Sequence, residues 1–409
     1  MRNRYLKANF YGLQKGLNLF AYFMAFPVLL VLGQNFSLII FIAFLGKYGR
    51  KLQLYSIQFY PQLVIIAFGI GAIISVVDIN AIGEEALGRS LAVLPNFLYW
   101  SLLLIILINV NKYLSARWLS KYIFLGVVCS VYYYFGQNIL PRIPLFINRS
   151  SANGFSFLLI CFSAPAAIYI LERYRNKLFS ILFIIILALV LATEGRRAGT
   201  VLVFASAFIA LFISKINPKQ LTLSLILVLG FNIAISTEIV ESSIAALNPR
   251  IYDLIYENEN LTTEDRSYLV RRLMVEKASI IFQNHPLTGI GLNNFSNYEV
   301  NFKGDFEGSE FVADKTTMNT KSAHNSYIAL LAEGGLLVLI PFLILLLYNF
   351  YFFVKHYNIR SQVENSFYWA FTAMCVHLYF ISAILNVYAW FLIGIVSALS
   401  MKYKLLKKV

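Results

Sequence analysis

The feature that most constrains this chain is a succession of apolar runs separated by short charged segments. The runs lie near 17–33, 34–46, 59–77, 91–110, 122–136, 154–171, 178–193, 198–214, 220–237, 326–349, 366–382 and 384–401. A helix of about 20 apolar residues matches the ~30 Å hydrocarbon core of a bilayer, which predicts about twelve transmembrane helices. The second run is short and needs a tilt or a shifted boundary. Of the 409 residues 59% are hydrophobic and only 13% are charged. One soluble core cannot bury that much apolar residue, so lipid must be the solvent for much of it. The expected fold is an all-α polytopic membrane protein.

Charge sets the expected orientation. Arg2, Arg4, Lys7 and Lys15 lead into an apolar run that continues directly into others, so the first span is read as retained rather than cleaved. With the N-terminus inside, the cytoplasmic segments hold Lys47, Arg50 and Lys51; Lys112, Arg117 and Lys121; Arg173, Arg175 and Lys177; Lys215 and Lys219; Lys355 and Arg360. The tail adds Lys402, Lys404, Lys407 and Lys408. The opposite side carries far less, with Asp78, Glu84, Glu85 and Arg89 in one short loop. This positive-inside bias puts both termini in the cytoplasm. It also accounts for most of the net charge of +14, so nucleic acid is not an expected partner. The chain divides into helices over 1–237, a large outer loop over 238–325, and three further helices with a basic tail over 326–409. Cys129, Cys161 and Cys375 lie in apolar runs, match neither a zinc spacing nor a disulfide framework, and read as packing residues.

The outer segment is rich in acids, including Glu238, Glu241, Asp253, Glu257, Glu259, Glu264 and Asp265, and its patterning predicts a folded, partly helical loop. A helix is expected after Thr262 and Thr263, with Leu269, Val270, Leu273, Met274, Ala278 and Ile281 on its apolar face. Arg271 borders that stripe with Val275, Ala278 and Phe282 and is expected to be held against something. Arg272 shares its face with Glu276 and is expected to be solvated. The helix should stop at Asn284-His285-Pro286, where Gly289 and Gly291 follow within HPLTGIGLNNF, a pattern that also fits an ordinary tight turn.

Three places carry candidate chemistry. His324 closes the loop in Ala323-His324-Asn325, at the mouth of the next helix, where a neutral imidazole could accept a proton or simply be satisfied by backbone. Glu333, beside Gly334 and Gly335, lies two to three turns into that helix, where a carboxylate normally faces a partner or a watery cavity. Arg196 and Arg197, in TEGRRAG between two apolar runs, are either interface anchors or binders of phosphate. No cluster of carboxylates has the spacing of a divalent-metal site, and no cofactor is called for.

Taken together, EGRRAGTVL, an arginine some fourteen residues before HPLTGIGLNNF, and AHNSYIALLAEGGLL make the chain resemble the O-antigen ligase and polymerase superfamily. These are bacterial membrane enzymes that transfer glycans from undecaprenyl diphosphate. The resemblance lies in the C-terminal half; the N-terminal half adds only topology. It implies a GT-C-like fold, a location in the inner membrane and a large periplasmic loop. It also implies a metal-independent, inverting glycosyltransferase. By that resemblance His324 is the catalytic base, while Arg197 and Arg271 bind the diphosphate with Arg196 and Arg272 as alternatives. Asn325, Glu333, Pro286, Gly289 and Gly291 support the site. The implied partners are the lipid-linked donor, an acceptor glycan (a lipid-linked repeat or lipid A core), the bilayer, and a chain-length regulator. Polymerase is the favoured branch over ligase. A lipid-linked oligosaccharide flippase is the rival from another class, though it would more often carry charges along its spans and lack a large folded loop.

Overall fold

The computed structural model describes residues 60–77, 84–109, 114–139, 152–193, 197–213, 266–302, 322–382 and 386–406. Among these residues there are ten α-helices and no strand. In chain order they are α1 (Tyr60–Val77), α2 (Glu84–Asn109), α3 (Ala116–Ile139), α4 (Ala152–Tyr174), α5 (Lys177–Thr193), α6 (Arg197–Phe212), α7 (Arg266–Asn284), α8 (Ser326–His356), α9 (Gln362–Leu378) and α10 (Val387–Leu406). Each apolar run that falls on described residues is a helix. The runs near 17–33, 34–46 and 220–237 lie outside them.

Among the described residues three helical stretches, Glu85–Ile108, Phe155–Tyr174 and Ser326–Ile359, are long and apolar enough to cross a membrane. Leu63–Val76, Lys177–Ala192, Gly199–Phe212 and Tyr388–Lys402 are shorter apolar helices. Ile66, Ile70 and Ile73 on α1, Leu182, Ile186 and Leu189 on α5, and Val201, Phe204 and Phe208 on α6 are exposed. A protein in water seldom shows so many apolar faces at once, whereas lipid solvates them at no cost.

The bundle has two packed groups. In the first, α4 is buried on all sides, with Phe157, Leu158, Leu159, Ile160, Cys161 and Phe162 sealed. That is the expected place for a helix with no polar face. It packs on α3, α5, α6 and α9. In the second, α1, α2, α8 and α10 close around Phe68, Phe97, Trp100, Phe342 and Trp390, with Trp100 and Trp390 stacked at 5.3 Å and 8°. Contacts of α10 with α9 and α4 join the groups.

The two ends of the bundle differ in charge. At one end Arg117 pairs with Glu172 (3.1 Å), Lys177 lies over the Phe212 ring (5.1 Å), and Lys402 pairs with Glu364 (2.9 Å). The Gln362 amide donates to the Ala210 and Leu211 carbonyls, and the Tyr357 hydroxyl donates to the Ile213 carbonyl. These contacts gather the starts of α3, α5 and α9 with the ends of α4, α6, α8 and α10. The basic residues of the described loops expected on one side, from Arg117 to Lys402, are therefore grouped at one end. His356 is buried at the end of α8 and packs on Phe352. It is the last residue of a helix that continues further than the apolar run. The three cysteines are free, with Cys161 fully buried.

Candidate functional site

At the opposite end, α8 is not continuous. Gly335 has φ 58° and ψ −161°, a conformation in which a Cβ would clash with its own backbone, so glycine alone fits it readily. Two rungs of the helical ladder open there. In an unbroken helix Leu336 N–H would reach the Ala332 carbonyl, and Leu337 N–H the Glu333 carbonyl. All four groups find other partners. Leu336 N–H donates to the Pro286 carbonyl (3.0 Å) and Leu337 N–H to the Leu287 carbonyl (3.1 Å). Ile290 N–H donates to the Ala332 carbonyl (2.9 Å), and the Ser75 hydroxyl of α1 donates to the Glu333 carbonyl (2.8 Å). Irregular backbone inside an apolar span is tolerated only when its polar groups are satisfied in this way.

The segment that fills the break is HPLTGIG. The sequence left it as weak evidence compatible with an ordinary tight turn, and the structure shows it docked backbone to backbone against α8. Gly289, at φ 68°, lies so close that a Cβ would stand 2.5–2.6 Å from the Ala332 and Glu333 backbone. A Cβ on Gly335 would overlap the Leu287 carbonyl. The two distant motifs are therefore the two halves of one contact. Gly291 also has positive φ, at 84°.

Beyond the break the chain turns through a 3₁₀ segment, Phe295–Asn297, pinned from three sides. The Glu333 carboxylate accepts Phe295 N–H (3.0 Å) and also bonds the backbone of Asn293. The buried Asn294 amide donates to Ser90 Oγ (2.8 Å), the Ala86 carbonyl (3.1 Å) and the Ile290 carbonyl (3.2 Å). Its oxygen accepts from Arg89 Nε (2.9 Å), and Ser90 Oγ donates to the Leu292 carbonyl (2.8 Å). The start of α2 is thereby fastened to the segment.

The helix α7 packs on α8 through Leu273, Met274, Ala278 and Ile281, which share a buried cluster with Ile290, Phe295, Val300, Phe302, Ala323, Ala329 and Ala332. This is the apolar face expected from the sequence, and the helix ends at Asn284 as expected. Its proposed start at Thr262 to Asp265 lies outside the described residues. The cluster also holds a residue that the sequence reading passed over. Lys277 is fully buried, its Nζ 4.9 Å from the centre of the Phe295 ring. Burial pushes its ammonium from an ordinary 10.5 down to about 8, with Glu299 pulling the other way. The signal was present: Lys277 is four residues from both Leu273 and Ile281, in the middle of the apolar stripe.

The site candidates fall as follows. His324 is exposed, at φ 50°, immediately before the N-cap of α8. Asn325 is that N-cap and is buried; its side-chain oxygen accepts from Tyr327 N–H (2.9 Å) and Ile328 N–H (3.2 Å). Arg271 is exposed, as is Val275 one turn on, instead of being held as expected. The helix packs through the positions to either side of them. Arg272 is a helical residue of α7, and Arg197 opens α6 at the same end of the bundle as His324. Packing on α4, α5 and α9 places α6. Arg196 lies outside the described residues. Ala323 and Ala329 bring the start of α8 into the cluster with α7, so the elements bearing His324 and Arg271 are joined. Among the described residues no group of three or more His, Cys, Asp or Glu could hold a metal ion.

Fold and site together define an integral membrane protein of packed helices, with one span broken near its mouth and the break filled by an inter-helix segment. Residues 181–343 match the family model described as O-antigen ligase. The resemblance to the O-antigen ligase and polymerase superfamily, whose members are glycosyltransferase-like enzymes acting on lipid-linked glycans, therefore holds. The matched span includes Arg197, Arg271, His324 and both halves of the glycine contact. The chain is also similar to an uncharacterized protein of Haemophilus influenzae, 27% identical over 198 residues. That alignment covers 47% of this chain, and the chain spans about half the length (47%) of the curated relative it matches.

Proposed function

We propose that the chain transfers undecaprenyl-diphosphate-linked glycan at the periplasmic face of the bacterial inner membrane, most simply as a polysaccharide polymerase. The observation that carries this reading is the family match over residues 181–343, which contains all three candidate site residues. Support for the orientation comes from the gathering of basic residues at the end of the bundle away from His324, as a cytoplasmic end requires. In this reading about twelve spans cross the membrane, 238–325 is the periplasmic loop, and both termini are cytoplasmic.

The chemistry follows from the residue types. The acceptor hydroxyl oxygen attacks the anomeric carbon of the donor, and the bond from that carbon to the diphosphate oxygen breaks with inversion. His324 takes the acceptor's proton, a contribution of roughly 10² to 10⁴ in rate. Arg197 and Arg271 receive the charge that develops on the departing diphosphate, which guanidinium groups bind through paired N–H donors. The cations take the place that a divalent metal would fill, and no metal is needed.

A ligase that moves the finished glycan onto lipid A core uses the same chemistry, and the description of the matching family favours it as the second reading. Substituting His324→Ala in the native host separates these readings. With the protein at normal level, loss of polymer while a single repeat remains on the core indicates a polymerase. Loss of all attached glycan with lipid-linked polymer accumulating indicates a ligase. Unchanged glycan banding would remove His324 from the reaction.

A further inference from the structure

We infer that Glu333 is a positioning residue, whose carboxylate holds the 289–295 segment in the break of α8 so that the elements bearing His324 and Arg271 form one block. The inference rests on the functional reading above for what the block does, and on geometry alone for its existence.

The break at Gly335 divides α8 into parts with different neighbours. Before it, Ala329 and Ala332 pack with Leu273, Met274, Ala278 and Ile281 of α7. After it, Val338, Phe342, Leu345 and Leu346 pack in the main bundle core. The first part, with His324 just ahead of it, thus faces both α7 and the bundle, where Leu330 packs and the Ser326 and Tyr327 hydroxyls donate to the Ile381 (2.6 Å) and Cys375 (2.8 Å) carbonyls. A helix interrupted in this way has no continuous ladder across the break, so its angle must be set by other contacts. Glu333 is the last side chain before the two glycines, and it reaches out of the helix to Phe295 N–H.

Phe295 is then gripped twice. Its amide is bound by Glu333, and its ring lies under the Lys277 ammonium of α7. A carboxylate accepting backbone N–H groups makes charge-assisted bonds, stronger and more directional than neutral ones. Burying the Lys277 ammonium is unfavourable even with Glu299 offsetting part of the cost, and methionine would fill the same space without it. The pair makes sense as a clamp across α7, the 3₁₀ turn and α8. Asn294, one residue earlier, extends the clamp to Arg89 and Ser90 of α2. Glu333 acts through the position of His324 and Arg271, and the inference gives it no contact with substrate.

The test uses the full chain in detergent, with lipid-linked glycan extracted from a host deleted for this protein as the probe. Two readouts are needed: transfer kinetics, and hydrogen exchange of the 286–297 and 324–332 amides without substrate. Glu333→Ala should speed exchange at Phe295 by about tenfold or more, the effect of losing one charge-assisted bond. It should lower kcat by a similar factor and leave KM within about twofold. Glu333→Gln, which keeps an accepting oxygen, should restore most of both. Should Glu333→Ala fail to accumulate, Glu333→Asp keeps the charge but draws the oxygen back by one methylene, and the same losses are expected. Wild-type kcat in Ala or Asp would overturn the inference. So would a Gln variant as inactive as Ala with wild-type exchange, since the carboxylate would then be doing chemistry. If wild-type protein and His324→Ala alike transfer nothing, the functional reading fails. The exchange data would still decide whether Glu333 holds the block.

Discussion

The break in α8 and the length of helix beyond it are built on different principles. Beyond the break, from Val338 to His356, the helix is held by side chains: Phe342 among the aromatic rings, Asn349 bonded to Ser397 (2.9 Å) and to the Leu345 carbonyl (3.1 Å), and Phe353 stacked on Tyr368 at 5.1 Å. At the break, on both sides of Gly335, the decisive contacts are made by backbone, and absent side chains allow them. Side-chain packing yields gradually when a residue is changed, because neighbours relax. A backbone-to-backbone contact has no such tolerance: a single methyl group prevents the approach on which three hydrogen bonds depend. The break lies two to three turns from the candidate base His324, and the length beyond it carries only the span.

That contrast can be broken most severely at the joint. Gly335→Ala is expected to cost about 3 kcal/mol or more, combining glycine-only backbone angles with overlap at Leu287. The protein level in membranes and the thermal midpoint in detergent should both fall. A variant with a wild-type midpoint would show that the break is not required.

The next effect is a pH dependence. The Lys277 ammonium titrates near 8 in the folded protein, against 10.5 when exposed. The unfolded chain therefore binds more protons between those values, and stability rises with pH across the window. Below about pH 8 the penalty for burying the charge is fully present, up to about 3 kcal/mol at this shift. Lys277→Met should be the more stable protein at pH 7, with the difference narrowing from pH 8 and vanishing near 10.5. Thermal midpoints of both proteins across that range provide the measurement. Parallel curves would mean that Lys277 is solvated. Activity at pH 7 should nonetheless fall in the Met variant if the clamp matters.

The smallest effect is expected in the second part of the helix. Asn349→Leu removes bonds with Ser397, Ser400 and the Leu345 carbonyl and should cost only about 1–2 kcal/mol, as interhelical polar bonds in membranes usually do. Transfer by the folded protein should stay at the wild-type rate. A loss of transfer at an unchanged midpoint would show that the distant part of α8 also governs the site.

Much of this was legible in the residues alone. The apolar runs announced the helices because hydropathy is local: each span must meet lipid or bundle along its own length. The basic residues announced which ends go together for the same reason. The apolar face of α7 could be read from helical spacing, as could its stop at Pro286. What stayed hidden was every relation between segments. Glu333 and Gly335 looked like an isolated acid and a glycine pair, and Gly289 like part of a turn, because residues 46 apart give no local sign that they touch. Lys277 stood out of pattern, yet only the cluster around Phe295 shows what it grips. Arg271 and Arg272 were assigned by helix face, and the packing of α7 exposed Arg271 where the face argument had expected it to be held. The sequence by itself determined a membrane-embedded helical protein and the expectation that its chemistry lies near His324. Only the tertiary structure decided how His324 is held, since a broken helix takes its direction from whatever fills the break.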